Sequence, residues 1–241
     1  MQFSIITITY NAEKYLRETL ASVANQNFND YEHLIWDGGS QDRTFEIIED
    51  FPHVKVYEGS DEGIADAMNQ GAAKAQGKYL LFLHADDLLA HSGALALVAT
   101  TLKQHPEAEW LYGQAHVINS EGEHLRTTRF IPFDHRRLRK YNMITHPATV
   151  VSRELFERVG GFQKSLRYCM DYDLWLRLAP LSTPFSLPAV IASFREHQNS
   201  LSTSEPIAVA DEAYRVRNRY VTSLWGRWKS YRTWKKRRAQ S

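Results

Sequence analysis

The chain has 241 residues with one cysteine, 29 Lys and Arg and 28 Asp and Glu, a length that builds a hydrophobic core without disulfides or a structural metal. The single cysteine, Cys169, excludes an internal disulfide and reads as a small buried hydrophobe. The start MQFSIITITYNAE lacks the basic segment, apolar stretch and cleavage site of an export signal, and no later run reaches the roughly eighteen apolar residues of a membrane span, so a cytoplasmic protein is expected.

The formal net charge of +1 conceals an asymmetry. Residues 215–241 carry ten Lys and Arg and no acid, so the other 214 residues hold 19 basic and 28 acidic side chains, or −9. An acidic body and a basic tail are therefore read separately.

Phe3 to Tyr10, FSIITITY, is a β-branched run that predicts a strand. Asn11 breaks it, and residues 12–24 read as a helix with Tyr15, Leu16, Leu20 and Val23 near one face. The unit recurs in YEHLIWDGGSQDRTFEIIED, a strand, a Gly-containing loop and a helix burying Phe45, Ile47 and Ile48. HVKVYEG is a third strand. Residues 63–76 form a small-residue helix that Gly77 is expected to stop. The strand KYLLFLHADD follows, its near-continuous apolar run typical of a central parallel strand covered on both faces. A helix over residues 92–104 closes this half.

Beyond it the pattern changes. EWLYGQAHVINSEGEHLRTTRF reads as two strands around a turn at Glu121 and Gly122, followed by the basic stretch HRRLRKY. Helices are expected over residues 152–159 and 171–178, a strand near SLPAVIASF, and a helical tail from Pro206. The fold class that follows is α/β, a Rossmann-like mostly parallel central sheet flanked by helices, with a C-terminal amphipathic helical tail.

In such a sheet the ligand crevice lies at the carboxyl ends of the strands. The residues expected there are Thr9, Asn11, Asp37, Asp61, Glu62, Asp86 and Asp87. An edge so rich in carboxylates suits a hard divalent cation that bridges protein oxygens to a diphosphate, with Asp87 as metal ligand and Asp86 placing the metal or a sugar hydroxyl. The competing reading of an isolated Asp-Asp pair is a helix cap. Neither G-x-x-x-x-G-K-[ST] nor G-x-G-x-x-G occurs, which argues against P-loop and dinucleotide sites.

Four stretches in order, SIITITYNAEKYLRETLASVANQNF, WDGGSQDRT, SDEGIADAMNQGAAKAQGKYLLFLHADD and CMDYDLWLRL, resemble the family 2 glycosyltransferases of GT-A fold across residues 3–200. The resemblance implies a metal-dependent, inverting transfer from a nucleoside-diphosphate sugar, a UDP-sugar by preference, with Mn²⁺ or Mg²⁺, to a glycan or lipid-linked acceptor in cell-surface polysaccharide biosynthesis. It implies that Thr9, Asn11 and Asp37 hold the nucleotide base, Asp86 the ribose and Asp87 the metal. Asp61, Asp66 and Asn69 border the donor site, and Asp171 is the catalytic base. His84 stands where Asn or Asp is frequent in the family, and Met170 where an acid usually precedes the base.

An inverting transfer needs a cation at the leaving phosphate and a base on the opposite face of the sugar, which Asp87 with metal and Asp171 would supply. Asp171 also has the position of a first-turn helix acid. His197 in FREHQNSLS is expected near the diphosphate or metal, or else on a surface loop, and His146 either lines the acceptor pocket or shapes its loop.

The division expected is residues 1–204 as the transferase domain, with 1–105 binding nucleotide-sugar and 106–204 the acceptor, and 205–241 as a basic, aromatic tail. Trp225, Trp228, Tyr231 and Trp234 recur every three residues among cations. That stripe suits an interfacial helix on an anionic membrane and hence peripheral attachment to its inner face. The alternatives are packing on the body or on a second copy in a homodimer, and nucleic-acid binding, which the acidic body disfavours. The rival functions are a sugar nucleotidyltransferase, which needs a Gly-rich loop absent from TYNAEKY, and an inactive nucleotide-sugar-binding scaffold.

Overall fold

The computed structural model describes residues 1–198, 200, 204–221, 231, 232, 234 and 235. Four parallel strands form its first half: β1 (Phe3–Thr9), β2 (Tyr31–Asp37), β3 (Val54–Glu58) and β4 (Tyr79–Phe82), laid side by side as β3-β2-β1-β4. Parallel neighbours require crossovers, and these are α1 (Leu16–Ala24), α2 (Thr44–Glu49) and α3 (Ile64–Ala73). Alternate residues of β4 feed opposite faces of the sheet: Leu80 and Phe82 enter one apolar cluster, Tyr79, Leu81 and Leu83 the other.

The sheet continues past β4 with reversed polarity. β8 (Thr149–Ser152) runs antiparallel to β4 and to β6 (Trp110–Ile118); β9 (Phe185–Arg195) lies parallel to β6 and carries β5 (Leu88–Leu89) on its far edge, while β7 (His124–Thr127) pairs with β6. The remaining helices are α4 (Ala94–Gln104), α5 (His135–Leu138), α6 (Arg153–Arg158), α7 (Met170–Leu178) and α8 (Pro206–Arg219), with a 3₁₀ turn at His146–Ala148. α4 covers one face through Leu95, Val98 and Leu102. α7 covers the other through Leu174, Trp175 and Leu178, with the Trp175 indole stacked on Trp110 at 5.7 Å and 16°.

Two differences from the sequence reading have simple causes. β8 and β5 are four and two residues long, too short to show a period, and β8 follows the 3₁₀ turn His146–Ala148 directly. α3 ends at Ala73 with Lys74 as its cap, so Gly77 is no helix stop. A Cβ on Gly77 would lie 2.5 Å from the Phe3 carbonyl carbon and the Ser4 nitrogen; the glycine lets the chain pass against the start of β1. The strand expected at SLPAVIASF is β9, and it accommodates an exposed Pro188 where its register with β6 shifts beside Gln114.

The described part of the tail packs on the body. Val216 of α8 is fully buried in the cluster that contains α7. The Trp234 indole N–H donates to Asp211, and its ring lies 5.3 Å from Tyr214. Trp225 and Trp228, half of the stripe on which the membrane reading rests, lie outside the described residues. Among the described residues no helix is long and apolar enough to cross a membrane.

Candidate active site

A cavity of about 880 Å³ opens at the carboxyl edge of the parallel strands, lined at one end by the loop after β1 and at the other by the start of α7. The loop is tied down by Asp37, which is fully buried at the end of β2. Its Oδ1 accepts the Gly39 and Ser40 N–H at 2.8 and 2.7 Å, and its Oδ2 accepts the Thr9 and Ser40 hydroxyls, both at 2.7 Å. Ser40 in turn accepts the Asn11 N–H at 2.8 Å, and Asn11 accepts the Gln41 N–H at 2.8 Å while sitting at φ +50°, a left-handed conformation that asparagine tolerates. Thr9, Tyr10 and Asn11 line the cavity, whereas the Asp37 carboxylate stands behind them and orders them. Asp61 reaches the same end from the loop after β3, with Oδ1 accepting the Gly63 N–H at 3.0 Å.

β4 ends in the turn His84-Ala85-Asp86-Asp87, and the two aspartates diverge. Asp86 lines the cavity and meets His197 Nε2 at 2.9 Å. Asp87 is 1% exposed, and its Oδ1 accepts the Arg195 N–H at 3.0 Å. Burial raises the Asp86 carboxyl, but the hydrogen bond from His197 and the positive charge of His84 and His197 outweigh it and leave Asp86 below its usual range. Burial, then the Asp86 charge, lift Asp87 well above the carboxylate range against the Arg195 N–H and guanidinium.

Arg195, at the end of β9, was not singled out from the sequence, yet it holds this turn. Its side chain is fully buried, donating Nε–H to Asp86 O at 3.0 Å, Nη1–H to Ser120 O at 3.1 Å and Nη2–H to Glu18 at 2.6 Å, with the guanidinium 4.6 Å from the Tyr15 ring centroid. The Thr19 hydroxyl on α1 lies 2.9 and 2.8 Å from the Ala85 and Asp87 carbonyls. A lone arginine in FREHQ gives no hint in sequence that 0% of it reaches solvent.

The residues at this turn fit a divalent cation. Ligand atoms of His84, Asp86 and Asp87 all lie within 4.8 Å of one another, and His84 Nε2 is buried with no hydrogen-bond partner. His84 packs on His146 with ring centroids 4.9 Å apart, and both ring nitrogens of His146 are buried and unpartnered beside the cavity. Burial holds His84 below its usual pKa against the Asp86 charge, and burial followed by the His84 charge holds His146 well below it. In both, burial favours the neutral imidazole, which is the form that coordinates a metal or accepts a hydrogen bond from a hydroxyl.

At the far end, Asp171 on the first turn of α7 lines the cavity with Met170, Tyr168, Arg167 and His146. Its Oδ2 accepts the Asn142 side-chain N–H at 2.9 Å, and its Oδ1 the Tyr172 N–H at 2.6 Å. Burial raises its pKa to about 6, opposed by those two hydrogen bonds and assisted by the Glu212 charge. A carboxylate poised there is suited to proton abstraction near neutral pH.

Besides Asp37, which stands behind the cavity wall, two more residues expected at the donor site do not line it. Asp66 is 3% exposed, paired with Lys164 Nζ at 2.8 Å and accepting the Glu62 N–H at 3.0 Å. Asn69 exchanges two hydrogen bonds with the backbone of Phe162, each 2.9 Å. Both side chains lie outside the cavity wall and bind α3 to the loop before α7. Asp173, also in the first turn of α7, is 1% exposed and paired with Arg177 at 2.7 Å.

The profile of Glycosyl transferase family 2 matches residues 4–160. A PGL/p-HBAD biosynthesis glycosyltransferase of Mycobacterium tuberculosis is 33% identical over 239 residues, covering 94% of this chain and 90% of its own. A glycosyltransferase of Haemophilus influenzae is 29% identical over 233 residues, covering 92% of this chain and 78% of its own. Among solved structures, S. aureus TarS 1–349 in complex with UDP-GlcNAc superposes with a TM-score of 0.74 at 20% identity, over 90% of this chain. This chain spans 65% of that TarS chain. The mannosyltransferase PcManGT of Pyrobaculum calidifontis, in complex with GDP-Man and Mn²⁺, superposes with a TM-score of 0.67 at 18% identity, over 93% of this chain and 66% of its own. The fold is thus that of GT-A transferases, and by its sequence the chain belongs to glycosyl transferase family 2.

Proposed function

We propose that this protein moves a sugar from a nucleoside-diphosphate donor, a UDP-sugar by preference, to a hydroxyl of a glycan or lipid-linked acceptor, with inversion at the anomeric carbon and with Mn²⁺ or Mg²⁺ bound. The observation that carries the reading is one cavity with a cation-ready turn at His84 and Asp86 and a carboxylate of raised pKa at Asp171.

The nucleoside would lie against Thr9, Tyr10, Asn11 and Asp61, on the loop that Asp37 orders. His84 and Asp86 would hold the cation, with His197 bracing Asp86; Asp87, committed to Arg195, would fix the turn. When bound, the cation neutralises the diphosphate as it leaves. Asp171 would take the acceptor proton through Oδ1 or Oδ2 and Asn142 would aim it. An imidazole in the ligand set favours Mn²⁺ over Mg²⁺, which prefers oxygen. Assembly of cell-surface or lipid-linked glycan at the inner membrane face, with the tail as peripheral contact, completes the proposal; the M. tuberculosis relative named for PGL/p-HBAD biosynthesis supports it.

The test is thermal shift with UDP, GDP, dTDP and CDP, each with and without Mn²⁺, on wild type and Asp86→Ala. Stabilisation by one nucleotide that needs Mn²⁺ and vanishes in the variant supports the donor site; ligand at a hundredfold its Kd adds about 2.7 kcal/mol. No shift with any nucleotide refutes it. The anomeric configuration of product formed from that donor, read by proton NMR, decides inversion.

A further inference from the structure

We propose that Glu212, on the C-terminal helix α8, is a positioning residue for Asp171: its carboxylate fixes the backbone of residues 167–169 and so the helix turn that presents Asp171 to the cavity. The inference rests on the reading of Asp171 as the base.

Three consecutive N–H groups point at this one side chain. Glu212 Oε1 accepts the Arg167 N–H at 3.1 Å, and Oε2 accepts the Tyr168 and Cys169 N–H at 2.6 and 2.7 Å. Cys169 immediately precedes α7 and offers it no side-chain cap. The anion a helix start calls for is supplied instead from 43 residues downstream. Glu212 is 3% exposed, and a carboxylate is costly to bury unless such donors meet it. An apolar side chain would pack α8 here at less cost, so the charge is explained by what it holds.

The rest of α8 grips the same region. The Tyr168 hydroxyl donates to Glu205 at 2.7 Å, and the Cys169 thiol to Val209 O at 3.7 Å. Arg217 Nη1–H donates to Lys140 O at 3.0 Å, two residues before the Asn142 that hydrogen-bonds Asp171. One helix thus braces both strands of chain that meet at the carboxylate. Arg167, Tyr168 and Met170 are themselves cavity wall, so a shift of the 167–169 backbone moves the site.

Glu212 also acts on Asp171 through charge, adding to the burial that raises its pKa. The other titratable or charged groups that share this wall of the cavity are His146 on the 3₁₀ turn, Arg167 and Tyr168, with Cys169 two residues before Asp171 and Arg215 of α8 acting on Cys169.

The experiment compares wild type, Asp171→Asn, Glu212→Gln and Glu212→Ala in UDP release from UDP-sugars across pH, in UDP binding with Mn²⁺, and in amide exchange at residues 167–169. Glu212→Gln keeps one acceptor for Tyr168 and Cys169 and turns an NH₂ group toward the Arg167 N–H. We expect Glu212→Ala to lower kcat by about 100-fold, the scale of an ångström-sized misplacement, and Glu212→Gln to lower it less. UDP affinity stays within twofold, exchange at 167–169 rises, and the acidic limb of the Glu212→Gln profile moves to lower pH. The ¹³C titration of the Asp171 carboxyl reads the same downward shift with no substrate present. A purely structural role lowers Tm without moving that titration. Glu212→Gln with wild-type kcat and an unmoved Asp171 titration overturns the inference while Asp171→Asn remains inactive. Turnover by Asp171→Asn overturns the base assignment itself.

Discussion

Asn142 donates its side-chain N–H to Asp171 Oδ2 at 2.9 Å, and it does so from the loop after α5, a part of the chain 29 residues away. The bond favours the ionised carboxylate and partly offsets the burial that raises Asp171 to about 6. A general base must be ionised, so turnover should fall as pH falls through about 6. Asn142→Ala removes one stabiliser of the anion, and its acidic limb should move to higher pH in a kcat profile.

The same ionisation has a stability consequence of definite sign. Asp171 starts from an ordinary value of 3.8 and is raised to about 6 in the folded chain, so between these values the unfolded chain releases the proton and the folded chain keeps it. Ionisation therefore opposes folding, progressively as pH rises through that window and fully above it. Asp171→Asn removes the effect. Its Tm should match wild type near pH 3.5 and exceed it at pH 8, while general-base catalysis worth about 10²- to 10⁴-fold is lost. Calorimetry at the two pH values checks the first part; equal Tm at pH 8 would show the raised pKa to be wrong.

Asp86 and Asp87 are neighbours in sequence with separate work. Asp86→Asn should abolish Mn²⁺-dependent stabilisation by UDP and leave urea unfolding of the unliganded protein nearly unchanged, because the side chain is 31% exposed. Asp87→Asn preserves an acceptor for the Arg195 N–H and should fold and bind. Asp87→Ala leaves that buried N–H unpaired, at a cost of about 1–3 kcal/mol. The reverse pattern, with metal dependence lost in Asp87→Asn and kept in Asp86→Asn, would return the ligand role to Asp87.

How much of this was legible in the sequence follows from the range of the interactions. β1, β2 and β4 were legible from their β-branched and apolar runs, and Thr9, Asn11, Asp61 and Asp86 line one cavity because parallel topology fixes which strand ends share an edge, whereas Asp171, on the first turn of α7, was singled out by the resemblance. That Asp87 accepts the Arg195 N–H was not legible, because its partner lies 108 residues beyond it. Glu212 was read as part of a separate tail because its three N–H partners lie 43 to 45 residues away. Asp66 and Asn69 sit in the right motif, but their bonds to Lys164 and Phe162 come from the loop before α7, where no periodicity points to a partner.

In the proposed metal site His84 would set a preference between cations. A ring nitrogen of His84 lies within 4.8 Å of the ligand atoms of Asp86 and Asp87, and a neutral imidazole is a better ligand for Mn²⁺ than for Mg²⁺. In thermal shift with saturating UDP, Mn²⁺ should stabilise wild type more than Mg²⁺ at equal concentration. His84→Asp restores an all-oxygen set and should narrow the gap or reverse it. An unchanged Mn²⁺ preference in the variant would mean that His84 is not a ligand.

Asn69 tests whether residues of the DEGIADAMN stretch bind donor or hold the fold. Its amide gives one hydrogen bond to Phe162 O and takes one from Phe162 N–H, and a Cβ on the adjoining Gly161, at φ +66°, would lie 2.6 Å from Asn69 Oδ1. The loop therefore approaches α3 as closely as a glycine allows and is locked there by the amide. Asn69→Ala should leave the Phe162 N–H and carbonyl unpaired and lower stability by about 1–3 kcal/mol in urea unfolding. UDP affinity with Mn²⁺ should stay within twofold, because the side chain touches no part of the cavity wall. A large loss of UDP affinity with stability unchanged would instead put Asn69 in contact with the donor.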